Sequence, residues 1–279
     1  MMMKTTYRRG LCLVLALAAA FSLAACSKEP AEPAPSEPGI PGFINTLTAP
    51  EYQSNSTPVE PAPELAEKLK DAVAQNTDVV GWLNIPNTTI DEPVVQTNNN
   101  TDYFRRDWLG NYQFSGCYWV DYECNVGART DLMQNTIIYG HNLNDDKKDG
   151  VKFAQLMNFA DLEFAKNNPY IYFSTPTDDM TWQVFAAFYT DTKLNYIKPT
   201  MSVTDYNSLL TEAKLRSEHN YDVNVTVNDK ILTLSTCTYK YGARTDQRFV
   251  IMAKLLPAGA KTEATVNVTS NPNPKAPQF

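Results

Sequence analysis

Apolar and polar positions alternate most cleanly in two runs, residues 231–239 (I-L-T-L-S-T-C-T-Y) and 248–255 (R-F-V-I-M-A-K-L). Both are strand-like in composition, and the polar stretch K-Y-G-A-R-T-D between them is a break, so the pattern predicts two strands. Period-two spacing sets Leu232, Leu234 and Thr236 on one face of the first strand and Ile231, Thr233, Ser235 and Cys237 on the other. Cys237 therefore ends a buried strand. If the two strands pair as an antiparallel hairpin, Arg248 opens the return strand at that same end. A guanidinium beside a thiol lowers the thiol pKa and holds an oxyanion. A buried structural cysteine is the alternative, because free cysteines are among the most buried residues.

Elsewhere the period changes along the chain. Residues 64–75 carry Leu65, Leu69, Ala72 and Val73 at helical spacing, after Pro61 and Pro63 and before Asn76. Short strands follow at 79–85 and 90–95, split by a Pro-Asn turn. An apolar strand at 136–139 stops at Gly140 and delivers His141 onto a loop. Residues 151–165 read as one or two short helices, and 170–173 and 182–190 as strands with alternating aromatics. Residues 204–217 form an amphipathic pattern, with Tyr206, Leu209, Leu210, Ala213 and Leu215 set against Asp205, Glu212, Lys214 and Arg216. His219, in the charged continuation of that helix, reads as solvent-exposed.

The two ends differ from this core. Residues 27–63 hold nine prolines and few large apolar groups, so residues 26–63 read as a flexible stalk. Residues 257–279 are Thr-, Asn- and Pro-rich with no core-forming run, and read as a disordered tail. That leaves 64–256 as one folded domain. Ahead of the stalk, Lys4, Arg8 and Arg9 precede an apolar run from 11 to 25, too short for an ordinary membrane span and ending L-A-A-C at Cys26. This ending resembles the lipobox of bacterial lipoproteins, which implies that residues 1–25 are a signal peptide and Cys26 the lipidated residue. An uncleaved signal anchor is the alternative. Either way the chain is expected outside the cytoplasmic membrane and tethered at its N-terminal end.

A net charge of −7 argues against a nucleic-acid partner. With only two histidines and no Cys/His cluster at metal-site spacing, neither a metal nor a cofactor is expected. Cys117 and Cys124 lie seven apart, and a disulfide and two buried thiols both remain open.

Taken together, several segments resemble class B sortases, cysteine transpeptidases of Gram-positive cell surfaces. T-L-S-T-C (233–237) matches the T-L-x-T-C signature, and I-I-Y-G-H-N (137–142) matches the segment holding the family's catalytic histidine. G-W-L-N-I-P (81–86), P-V-V-Q (93–96) and residues 100–122 match the start of the domain and its substrate-groove turn. The resemblance implies a mainly β fold: a closed barrel of about eight strands, with an N-terminal helix and a helix inserted before the catalytic strand. It places Cys237 as nucleophile, His141 as acid–base and Arg248 as oxyanion donor. Ser235, Thr236, Asn100 and Phe104 fall at substrate-binding positions. Arg244 is the alternative cation, in a flexible loop instead of at a strand start. Where some members have an acidic residue soon after the cysteine, this chain has Thr238, Tyr239 and Lys240, so no carboxylate is assigned to orient His141.

The implied reaction cleaves a C-terminal sorting motif of exported proteins through a thioacyl enzyme. The acyl group then passes to an amine of peptidoglycan, lipid II or a pilin. Two other readings remain: another Cys/His wall acyltransferase such as an L,D-transpeptidase, whose S-x-G-C setting is absent here, and a barrel-type surface lipoprotein without catalysis.

Overall fold

The structure, a computed structural model, describes residues 57–143, 146–263 and 266–279. The leader, Cys26 and nearly all of the stalk lie outside the described residues. Helix α1 (Pro63–Gln75) has proline at its first position, where the missing N–H costs nothing, and buries Leu69 and Ala72. The strands β1 (Val79–Asn84), β2 (Asp91–Val95), β3 (Tyr118–Val120) and β4 (Asn135–Tyr139) follow. A 3-10 helix (Lys152–Ala160) and α2 (Leu162–Asn167) lead to β5 (Tyr170–Ser174) and β6 (Thr181–Asp191). The rest comprises α3 (Val203–Arg216), β7 (His219–Tyr221), β8 (Ile231–Cys237), β9 (Gln247–Leu255) and β10 (Val268–Ser270).

Eight strands close into a barrel in the order β1-β2-β3-β4-β8-β9-β6-β5, and β7 and β10 pair separately. The expected eight-stranded barrel, with a helix at its N-terminal side and another ahead of β8, is therefore present. Closure leaves no barrel edge unpaired. Most of β8 and β9 is buried on both faces, because side chains fill the lumen and the helices cover the outside. Trp182, Phe185, Phe188 and Phe249 are among the largest fully buried side chains.

Three expectations need correction. Residues 257–279 are not a structureless tail: Val268 is buried, and Val268–Ser270 pairs with β7. His219 is not exposed but lies on β7 at 5% exposure, because the helix ends at Arg216 and the chain turns back into a strand. On α3 itself, Leu215 faces solvent at 51% exposure while Arg216 is buried. Leu215 is nine positions from Tyr206, about half a turn out of phase, whereas Arg216 lies on the buried side, within reach of Glu212 at 3.2 Å and Asp191 at 3.7 Å. The 151–165 segment, expected to form one or two short helices, makes the 3-10 helix and the start of α2.

Candidate active site

The site is built by register. Strand β8 pairs with β4 in parallel, Ile231 opposite Asn135 through Ser235 opposite Tyr139. His141 and Cys237 each follow two residues after that last pair, so the two side chains leave neighbouring strands at the same barrel end. On the other side of β8, β9 runs antiparallel and pairs Arg248 with Cys237. The hairpin register read from the alternation is the one observed. Cys237, His141 and Arg248 line one cleft of about 210 Å³. Its walls are largely apolar, with Phe104 and Trp119 among them, and Leu194, Tyr196 and Ile197 from the connection between β6 and α3.

His141 is held closely. Its Nε2 lies 2.7 Å from the Phe104 carbonyl oxygen; a carbonyl only accepts, so Nε2 carries the proton. The Phe104 ring meets the imidazole edge-on at 4.5 Å, and Trp119 packs at 5.7 Å. Burial lowers the His141 pKa from 6.5; the Phe104 carbonyl opposes that shift and the Arg105 charge adds to it. Gly116 makes the contact possible. It has φ +60°, and a Cβ there would sit 2.9 Å from His141 Cδ2 and 3.0 Å from the Phe104 oxygen.

Arg248 is steadied by its own loop. Its Nη1 donates to the carbonyls of Thr245 (2.8 Å) and Gln247 (2.9 Å), and among the described residues no carboxylate pairs with it. Arg244 instead forms a bidentate pair with Asp246, at 2.9 and 2.8 Å, and does not line the cleft. The buried Gln247 organises this loop, donating to Gly242 O and accepting from Tyr241 N.

The remaining expected site residues divide. Phe104 is in the cleft and 45% exposed. Ser235 and Thr236 also line it, but their hydroxyls are engaged: Ser235 with Tyr196 (2.9 Å), Thr236 with the Gly140 carbonyl (2.7 Å). Asn100 does not line the cleft. Its amide donates to Asp121 and its carbonyl accepts from Tyr122 N, while Asp121 in turn accepts from the Tyr139 hydroxyl. Cys117 and Cys124 are free, buried thiols, each pushed up to about 12 chiefly by burial. The disulfide alternative is therefore not realised.

Thiol, imidazole and guanidinium at one mouth supply a nucleophile, a proton carrier and an anion donor, the set that acyl transfer needs. A family model described as "Sortase domain" matches residues 83–256, more than half of the chain. The sortase B of Staphylococcus aureus (strain NCTC 8325 / PS 47) is 35% identical over 199 residues, covering 71% of this chain and 76% of that protein.

The chain belongs to the class B sortases.

The sortase B of Listeria monocytogenes serovar 1/2a is 33% identical over 198 residues, covering 69% of this chain and 76% of that one. Among solved structures, a Staphylococcus aureus sortase B–substrate complex superposes with a TM-score of 0.62 at 33% identity, covering 70% of this chain and 87% of that one. As a class B sortase, the chain is a cysteine transpeptidase.

Within this sortase, sequence reasoning missed a carboxylate. Asp146 accepts from Asn142 Nδ2 (2.5 Å), Thr238 Oγ1 (2.9 Å) and Tyr239 N (2.7 Å). Asn142 also donates to the Cys237 carbonyl at 3.0 Å. Asp146 thus ties the loop that follows His141 to the turn that follows Cys237. Its only sequence signal was membership of a D-D-K-K run, which reads as solvated charge.

Proposed function

We propose that this sortase cleaves a C-terminal sorting motif of exported proteins and joins the new C-terminus to an amine of the cell wall. Cys237 attacks as the thiolate, its proton passing to His141. A C–S bond forms at the scissile carbonyl, and Arg248 holds the oxyanion until the C–N bond breaks. The imidazolium of His141 gives its proton to the departing amine, leaving a thioacyl enzyme. The Phe104 carbonyl occupies Nε2, which leaves Nδ1 for this exchange. A peptidoglycan or lipid II amine then attacks the thioester; His141 takes its proton, and Cys237 leaves as the thiolate. The observation that carries this reading is the convergence of Cys237, His141 and Arg248 on one cleft from three adjacent strands. In support, the related Staphylococcus aureus enzyme was captured with a substrate.

The test is a panel of candidate sorting peptides followed by mass spectrometry. The native protein is expected to accumulate a thioacyl adduct on Cys237 and to transfer it to an added amine. Cys237→Ala, a small change at a strand end, is expected to fold and to do neither. Transpeptidation by that variant would remove Cys237 from the reaction.

The same reading places the enzyme on the outer face of the cytoplasmic membrane of a Gram-positive cell, lipidated at Cys26. Its support is the basic start, the short apolar run and the L-A-A-C ending. Among the described residues no helix is long and apolar enough to cross a membrane. Globomycin is expected to accumulate unprocessed precursor, and unchanged processing would favour a signal anchor.

A further inference from the structure

Beyond the residues matched to the family (83–256), the chain does not leave the barrel. After β10, Asn271 bonds the Ser217 carbonyl at 2.8 Å, and Lys275 pairs with Glu212 at 2.7 Å, so the segment follows the end of α3. Its last two residues reach the rim of the catalytic cleft. Gln278 N donates to Asp191 Oδ2 (3.1 Å), and the Gln278 carbonyl accepts from Lys193 Nζ (3.1 Å). The Phe279 ring lies 5.2 Å from that of Tyr241 and 4.1 Å from the Arg244 guanidinium.

These contacts join the two connections that border the cleft. Asp191 ends β6, and Thr192 and Leu194, just after it, line the cleft. Asp191 is buried, which disfavours its charge, yet the N–H groups of Gln278 and Lys193 and the Arg216 charge hold its pKa below the usual value. Tyr241 and Arg244 lie in the β8–β9 loop, whose Thr245 carbonyl fixes Arg248. Thr192 N also bonds Asp246 O at 2.9 Å, so the two connections are already in contact.

We propose that Gln278 and Phe279 clamp these two connections together, with Phe279 acting through the β8–β9 loop as a positioning residue for Arg248. The clamp rests on the reading of Arg248 as oxyanion donor. An aromatic ring suits the role because it offers one face to the guanidinium and still packs, tilted by 60°, against Tyr241. At 40% exposure, Phe279 can be changed without opening the core.

The test uses the full chain as Phe279→Ala, Phe279→Tyr, Arg248→Ala and the double variant Phe279→Ala/Arg248→Ala. Each is assayed on the best-cleaved peptide of the sorting panel and by amide hydrogen exchange at 240–246. Phe279→Ala is expected to lower kcat about two- to five-fold, the range that an exposed cation–π contact allows, with KM unchanged and faster exchange in the loop. Phe279→Tyr is expected to restore both, and Phe279→Ala to cost nothing further once Arg248 is gone. Unchanged loop exchange in Phe279→Ala overturns the clamp. So does an equal loss of kcat with and without Arg248, because the effect then bypasses the guanidinium. Wild-type turnover by Arg248→Ala would instead defeat the reading of Arg248, and loop exchange would still report on the clamp.

Discussion

Replacing Arg248 by alanine separates two cations that lie only four residues apart. Arg248 stands opposite Cys237 in the β8–β9 ladder, where directly paired Cα atoms are about 4.5–5.5 Å apart. Its Nη1 is held by two backbone carbonyls, so the fork is oriented before substrate arrives. Removing one preorganised oxyanion donor costs about 100- to 1,000-fold in turnover, roughly 2.7–4 kcal/mol of transition-state stabilisation. Arg248→Lys is also expected to be impaired, since an ammonium cannot hold both carbonyls in one plane and still present a donor to the cleft. Arg244 is spent on Asp246 in solvent and lies outside the cleft, so Arg244→Ala is expected to cost less than about ten-fold. Peptide cleavage rates for the three variants, with circular dichroism to confirm folding, decide the matter. A larger loss for Arg244→Ala than for Arg248→Ala would refute the assignment.

Three further outcomes are expected. Peptide mapping after native methanethiosulfonate treatment should find Cys237 modified and Cys117 and Cys124 untouched, because burial raises the latter two to about 12; labelling of either would contradict that burial. Imidazole NMR should place the His141 pKa below the ordinary 6.5 and show it rising in Arg105→Gln, since burial and the Arg105 charge both disfavour the imidazolium. A lowered folded pKa means stability present above the ordinary value and lost as pH falls through it toward the depressed one, and thermal melts of His141→Gln should lack that loss. Asp146→Ala breaks three hydrogen bonds, two of them between the two catalytic loops, and should lower kcat/KM about 10- to 100-fold, the scale of a misplacement near 1 Å; an undiminished rate would show the loops need no tie.

The parts of the fold legible in the sequence are those whose information is local. Leu232, Leu234 and Thr236 alternate with Thr233, Ser235 and Cys237, and that alternation, ended by a polar loop, was enough to pair Cys237 with Arg248. Gly140 stopping an apolar strand was enough to put His141 at an open end. Asp146 was illegible because Thr238 and Tyr239, which it joins, are 92 and 93 positions away, and no local period links them. His219 was misread because K-L-R-S-E-H-N continues the charge pattern of α3, while the chain had already reversed at Ser217 into β7. Among the described residues after 257, Val268 is the one fully buried apolar side chain; Val266 packs partly against the core, and the rest is held by hydrogen bonds, the Lys275–Glu212 ion pair and the Phe279 ring contacts, which leave no hydrophobic period to read.

The parallel pairing of β4 with β8 also determines how this enzyme tolerates changes of chain length. Gly140 and Thr236 are 96 positions apart, the same offset as every matched pair in that ladder, and His141 and Cys237 share it. What sets the catalytic pair side by side is the ladder and not the count, so residues added to the long excursion between the two strands change the offset and leave the pair untouched. One residue added inside β4 or β8 has the opposite effect: it turns every following side chain to the other face and carries either the imidazole or the thiol out of the cleft. Length variation is thus expected to collect in the connections around the 3-10 helix, α2 and α3, and to spare two short strands entirely.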